Sequence, residues 1–401
     1  MNNCISEKMF ALTQKNSAVR EMFEEGRRLA AIHGAENVYD FSLGNPYFPA
    51  PDRVKTAIVE VLEQDEPSLV HGYMPNAGFP DVREALAKSL NHRFDTDFTG
   101  GNIIMTAGAA GGLNVALKTL INPDDEVIVL APFFLEYGNY VSNYGGKLVV
   151  VPAHSEDFQP NADEIAKFVT EKTKAIIINS PNNPTGVIYS EDTIKKIAAM
   201  LNEMQEKYNH PIFLISDEPY RELAYDGAKV PWLTHYYKNT IVGYSWSKSL
   251  SLPGERIGYL VIPSELHDFS LVFDAAGIAN RILGFVNAPS LMQRAVAKCL
   301  EESTDIASYD ANRKLLYNGL QAAGFDCAYP QGAFYMWLKT PCDDKEFVKM
   351  AKKYNILVVS GSSFACSGYV RIAYCVGTKT IEGALSGFAA LAAELGLRPR
   401  D

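Results

Sequence analysis

The chain has 401 residues, 47% of them apolar and 21% charged, and its 37 Lys and Arg against 47 Asp and Glu give a formal charge of −10. That length exceeds a small binding module and is enough to bury at least one large core, and the composition excludes a disordered chain. An acidic balance with no basic block offers no footprint for a nucleic-acid backbone, so no nucleic-acid partner is expected.

In chain order, residues 1–45 read as an arm. SAVREMFEEGRRLAAIHG is an amphipathic helix, and the Pro- and Gly-punctuated LGNPYFPAP follows it. The opening MNNCISEKMFALTQKNSAVR mixes charges and amides where a secretory leader needs an unbroken apolar stretch. No later run is long or apolar enough to span a bilayer. The expectation is therefore a cytoplasmic protein with no membrane partner.

Residues 46–288 carry seven short runs rich in branched side chains: IIMT (103–106), EVIVL (126–130), KLVVV (147–151), AIIIN (175–179), IFLISD (212–217), TIVGYS (240–245) and RIGYLVI (256–262). Each has strand length. Between them lie helix-period segments such as LNVALKTL, with Leu113, Ala116, Leu117 and Leu120 on one face. The alternation predicts an α/β fold whose large domain is a mostly parallel seven-stranded sheet flanked by helices. Its ligand belongs beyond the carboxyl ends of the strands. Residues 289–401 change texture to the helices LMQRAVAKCLEES and NRKLLYNGLQAAG, then the strand-like FYMWLK, ILVVSG and YVRIAY. They predict a smaller α+β domain, on which the N-terminal arm is expected to pack.

Several segments carry chemistry. TAGAAGGL (106–113) follows a strand and opens a helix, where backbone amides and small residues suit either an anion or tight packing. SPNNPTG (180–186) makes a rigid turn after the AIIIN strand. DEPY (217–220) puts a carboxylate at the end of a buried strand, which calls for a cationic partner on a ligand or in the protein. In YSWSKSLSLPGERIG (244–258), Ser245, Ser247 and Arg256 can converge on a phosphate and leave Lys248 as an amine nucleophile; the plain alternative is an exposed loop lysine. Within YVRIAY, Arg371 suits a carboxylate fork or an edge position. Rival chemistry is poorly served. The six cysteines form no CxxC, the seven histidines sit singly without HExxH, and GSSFA (361–365) falls short of GxSxG.

Taken in order, LGNP, GAA, PFF, NNPTG, DEPY, SxSK with PGxRxG, and a late arginine strand resemble the class I/II aminotransferases, pyridoxal-phosphate enzymes of the aspartate aminotransferase fold, from residue 43 to Arg371. The resemblance implies pyridoxal 5′-phosphate as cofactor and no metal. It implies that Lys248 forms the internal aldimine and moves the proton between Cα and C4′. Asp217 would hold the pyridine nitrogen protonated. Asn183 and Tyr220 would hydrogen-bond the ring oxygen, and Phe134 would stack on the ring. Gly108, Ala109, Ala110, Ser245 and Arg256 would hold the phosphate, joined by Tyr73 from the neighbouring subunit of a homodimer. Ala110 stands where relatives commonly carry Ser or Thr, so one phosphate hydroxyl is lost while the backbone donor remains.

Arg371, helped by Gly44 and Asn183, would grip the substrate α-carboxylate. The implied substrates are an L-amino acid and a 2-oxo acid, in a ping-pong transamination. A carbon–sulfur β-lyase on the same fold and a non-catalytic cofactor-binding protein are the alternatives. A second substrate carboxylate would need another cation, and Arg281, Arg20, Arg27 and Arg28 are candidates.

Overall fold

The seven branched runs form strands close to their expected limits in the computed structural model, which describes residues 4–14 and 18–400, the side chains of 18–20 and 23 excepted. β1 (Ile103–Thr106), β2 (Glu126–Leu130), β3 (Lys147–Val151), β4 (Thr173–Asn179), β5 (Phe213–Asp217), β6 (Thr240–Ser245) and β7 (Gly258–Val261) make one sheet in the order β1-β7-β6-β5-β4-β2-β3. From β6 through β5, β4 and β2 to β3 the neighbours are parallel. β7 is antiparallel to both β6 and β1. A parallel return needs a long crossover. Between Ser245 and Gly258 the chain has only the short helix Trp246–Ser249 and the single turn Pro253–Glu255, so β7 folds straight back. It starts two residues later than the branched run because Arg256 takes a left-handed φ of 51°, which no strand accommodates.

Both faces of the sheet are covered, which is why its strands read as nearly continuous apolar runs. Successive residues alternate between the faces. Helix α1 (Gly108–Leu120) buries Leu113, Ala116 and Leu117 against Ile104, Val129 and Ile215 on one side. On the other, Leu86 and Leu90 pack with Ile103, Met105 and Val242. Each such side chain contributes about 1.5–3 kcal/mol by burial, so this core supplies a rigid platform for the strand ends.

The chain divides into two units. The larger comprises Pro46–Asp310 with Pro330–Ala333, the smaller Met1–Asn45, Ala311–Tyr329 and Phe334–Asp401. The division at Asp310 falls later than the 288/289 change of texture, because the helix Ser290–Ala297 buries Met292, Ala295 and Val296 in the larger core.

In the smaller unit, β8 (Asp326–Cys327), β9 (Tyr335–Lys339), β10 (Val359–Ser360) and β11 (Tyr369–Ala373) form an antiparallel sheet in the order β10-β11-β9-β8. Tyr39–Asp40 of the arm pairs in parallel with Ile356–Leu357, and the arm helix Ala18–His33 packs Met22 and Leu29 on Leu357. Among the described residues no helix is long and apolar enough to cross a membrane.

Candidate functional site

Register alone gathers the candidate residues of the larger unit at one sheet edge. Asn179, Asp217 and Gly243 are aligned partners across β4, β5 and β6. Thr106 and Ser245 are both partners of Gly258. The carboxyl ends of β1, β4, β5 and β6 therefore open on the same side.

Asp217 is buried at this edge. Tyr137, fully buried one strand-end away in helix α2 (Glu136–Asn143), donates its hydroxyl to Asp217 Oδ2 at 2.6 Å. Oδ1 is buried with no hydrogen-bond partner. Burial pushes the carboxyl up to about 7, with the neighbouring Glu218 charge adding and the Tyr137 hydrogen bond opposing. Burial likewise pushes the Tyr137 phenol well up, so it acts as a fixed donor. A carboxylate in that position gains most from a cation on its free oxygen. Glu218, next in the chain, serves differently: it accepts from the Ser216 hydroxyl at 2.7 Å and pairs with the buried Arg221 guanidinium. Arg221 also donates to the carbonyls of Val230 and Pro231 at 2.9 and 2.8 Å. Of the two acids in DEPY, only Asp217 keeps an oxygen available.

The turn after β4 is built by its own amides. Asn179 Nδ2 donates to the Asp217 carbonyl at 2.8 Å, and its Oδ1 accepts from the Asn183 backbone N–H at 2.7 Å. Asn182 Oδ1 accepts from the Thr185 hydroxyl at 2.8 Å. Asn182 thus closes the turn, while Asn183 and Tyr220 are both buried beside the end of β5. Phe134 is half-buried and meets Tyr137 edge-on, ring centroids 5.6 Å apart.

Lys248 lies in the short helix directly after β6 and is half-buried, three residues beyond the buried Ser245. The PGER turn brings Arg256 back to the start of α1. A Cβ on Gly108, whose φ is +71°, would stand 2.7 Å from Arg256 Nη2. A Cβ on Gly258 would stand 2.9 Å from the Gly108 carbonyl carbon and 2.4 Å from the Tyr244 carbonyl oxygen. Glycine at both positions lets the guanidinium and the first amides of a 13-residue helix meet, a cationic cradle for an anion. Ala109 and Ala110, half-buried, complete the first turn.

In the smaller unit, Arg371 on β11 is 4% exposed and donates from Nη2 to the Ser42 carbonyl at 2.5 Å. Its guanidinium lies over the Tyr335 ring, 4.6 Å from the centroid, and 4.9 Å from that of Phe364. Gly44 adjoins Tyr335.

Of the candidate second cations, Arg281 and Arg27 are exposed, Arg28 is paired with Glu25 at 2.7 Å, and the Arg20 side chain lies outside the described residues. Among the described residues no group of three or more His, Cys, Asp or Glu side chains is placed to hold a metal. Sequence reasoning missed Tyr137 and Asn179. The signal for the first was a tyrosine three residues after Phe134 at the start of a helix; for the second, an amide closing a buried strand.

Comparison with known proteins follows the same line. A family model described as aminotransferase class I and II matches residues 36–388. An aspartate aminotransferase of Pyrococcus abyssi is 33% identical over 92% of this chain and 94% of its own length. A probable aspartate/prephenate aminotransferase of Thermus aquaticus is 31% identical over 96% and 97%. Among solved structures, an amino transferase from Eubacterium rectale superposes with a TM-score of 0.96 at 44% identity, covering 98% of this chain and 99% of that one. The Thermus thermophilus aspartate aminotransferase with maleate superposes with 0.84 at 27% identity, covering 98% and 100%.

Proposed function

We propose, from the premise that this chain belongs to the aminotransferase class I and II family of pyridoxal-phosphate-dependent transferases, that it moves the amino group of an L-amino acid to a 2-oxo acid in two successive half-reactions at the edge of the large sheet. The observation that carries this reading is Asp217 Oδ1, a buried carboxylate oxygen with no partner, at the same sheet edge as an arginine–glycine cradle that suits a phosphate.

Pyridoxal 5′-phosphate would supply an electron sink that makes the substrate Cα proton acidic. The residues divide the remaining work. Asp217 would present Oδ1 to a protonated ring nitrogen, a cation that would hold its carboxyl ionised. Asn183 and Tyr220 would hydrogen-bond the ring oxygen, and Phe134 would cover the ring. The turn Gly108, Ala109 and Ala110 with Ser245 and Arg256 would bind the phosphate. Lys248 would hold the cofactor through its ε-amine and would serve as the base and acid that moves the substrate Cα proton. Arg371, with Gly44 and Asn183, binds the α-carboxylate. Tyr73, 91% exposed, reaches the phosphate of a second copy, making the enzyme a homodimer. L-Aspartate heads the candidate donors, followed by aromatic amino acids, because relatives that match over more than nine-tenths of the chain bear those names.

The test is the visible spectrum of the purified protein after reconstitution with the cofactor. A band that bleaches with L-aspartate or another single amino acid and returns with 2-oxoglutarate is the expected result. Lys248→Ala should abolish turnover and prevent borohydride from fixing the cofactor to the chain. Turnover surviving in that variant would overturn the assignment.

A further inference from the structure

The smaller unit contains a contact that neither the family description nor the motifs assign. Tyr335 on β9 is the register partner of Ala373, and Trp337 that of Arg371. Tyr335 and Arg371 are therefore diagonal neighbours on one face of the sheet, a separation an aromatic ring can bridge. It does: the Arg371 guanidinium lies 4.6 Å from the Tyr335 ring centroid. The other end of the same ring meets Gly44. A Cβ there would come within 1.9 Å of Tyr335 Oη and 2.9 Å of Cζ, so the ring occupies the space any larger residue would need. Tyr335 and Arg371 are both buried.

From these contacts we propose that Tyr335 is a positioning residue for carboxylate recognition, one rigid ring that fixes the Arg371 fork and the Gly44 backbone at a set spacing. The guanidinium is planar in itself, and a ring face packed against it restricts how that plane turns, so its paired donors stay aimed for a bidentate carboxylate. Arg371 alone, on its flexible stem, would have to order itself on each binding event. The inference rests on reading Arg371 as the carboxylate site, and the experiment separates the two.

Maleate serves as an unreactive carboxylate inhibitor of the reconstituted enzyme, L-aspartate as substrate, and ethylamine as an amine without a carboxylate. Tyr335→Leu should raise the maleate inhibition constant and the L-aspartate KM about tenfold, the loss of a desolvated cation–π contact, with kcat little changed. Tyr335→Phe, which keeps the ring, should stay within about threefold. The rate of cofactor bleaching by ethylamine and the affinity for pyridoxal phosphate should not move in either Tyr335 variant. If Arg371→Lys weakens maleate while Tyr335→Leu does not, the positioning role is overturned and the fork stands. If Arg371→Lys leaves maleate unchanged, the carboxylate assignment falls with it. Equal losses with ethylamine and with aspartate in Tyr335→Leu would reduce Tyr335 to core packing and overturn the proposal.

Discussion

Replacing Asp217 by asparagine should stabilise the cofactor-free protein at neutral pH while damaging its function. The carboxyl is pushed from its ordinary 3.8 up to about 7, chiefly by burial. The folded protein thus holds this proton more tightly than the unfolded chain does, and raising the pH through that window favours unfolding. At 1.36 kcal/mol per pH unit, the loss amounts to about 4 kcal/mol between pH 4 and pH 7 and levels off above it. Asparagine, close in shape and able to accept from Tyr137, escapes this loss but leaves an amide N–H buried, so the pH slope is the informative quantity and not the absolute difference.

Urea unfolding of both cofactor-free proteins at one fixed concentration, at pH 5 and pH 8, reads it directly. The stability of Asp217→Asn relative to the parent should rise by about 3 kcal/mol between those two values. The same variant should bind pyridoxal phosphate about 10- to 100-fold more weakly, since a charge-assisted bond to the ring nitrogen is gone. A stability difference that stays constant with pH would refute the claim that a strained, buried carboxylate awaits a cation here.

Tyr137→Phe removes the hydrogen bond that opposes this upward shift. The pH at which the cofactor-free protein stops losing stability should move above 7, and an unchanged profile in the same urea series would deny Tyr137 its hold on the carboxylate. Gly108→Ala forces a side chain at φ +71° to within 2.7 Å of Arg256 Nη2. Displacing that guanidinium should weaken cofactor binding at least about tenfold in a fluorescence titration, and wild-type affinity would place the phosphate elsewhere. Tyr73→Phe deletes one exposed hydroxyl. It should lower cofactor affinity only in the dimer, measured by mixing it with a Lys248→Ala partner; an effect confined to its own chain's site would end the shared-site reading.

The large-unit strands were legible in the sequence because a sheet covered on both faces needs mostly apolar side chains along its inner strands, so AIIIN or TIVGYS reads as a strand without knowledge of its neighbours. The motif residues were legible for a related reason. The turns that end these strands use Pro, Gly, Asn and Asp in patterns the local backbone imposes, and their order along the chain carried the family.

Pairing across the fold was not legible. Tyr137 and Asp217 are 80 residues apart and meet only because β4 alone separates the ends of β2 and β5 in the sheet. Arg256 reaches Gly108 only because a connection too short for a crossover sends β7 back beside β1. Tyr335 meets Arg371 through a strand register that any one-residue slip would have undone. Sequence patterns report how each residue faces its own element, whereas strand order and register decide which side chains share a space. The order of the motifs was therefore determined by the sequence alone, and the charge, spacing and partners of the groups that do the chemistry were decided by the tertiary structure.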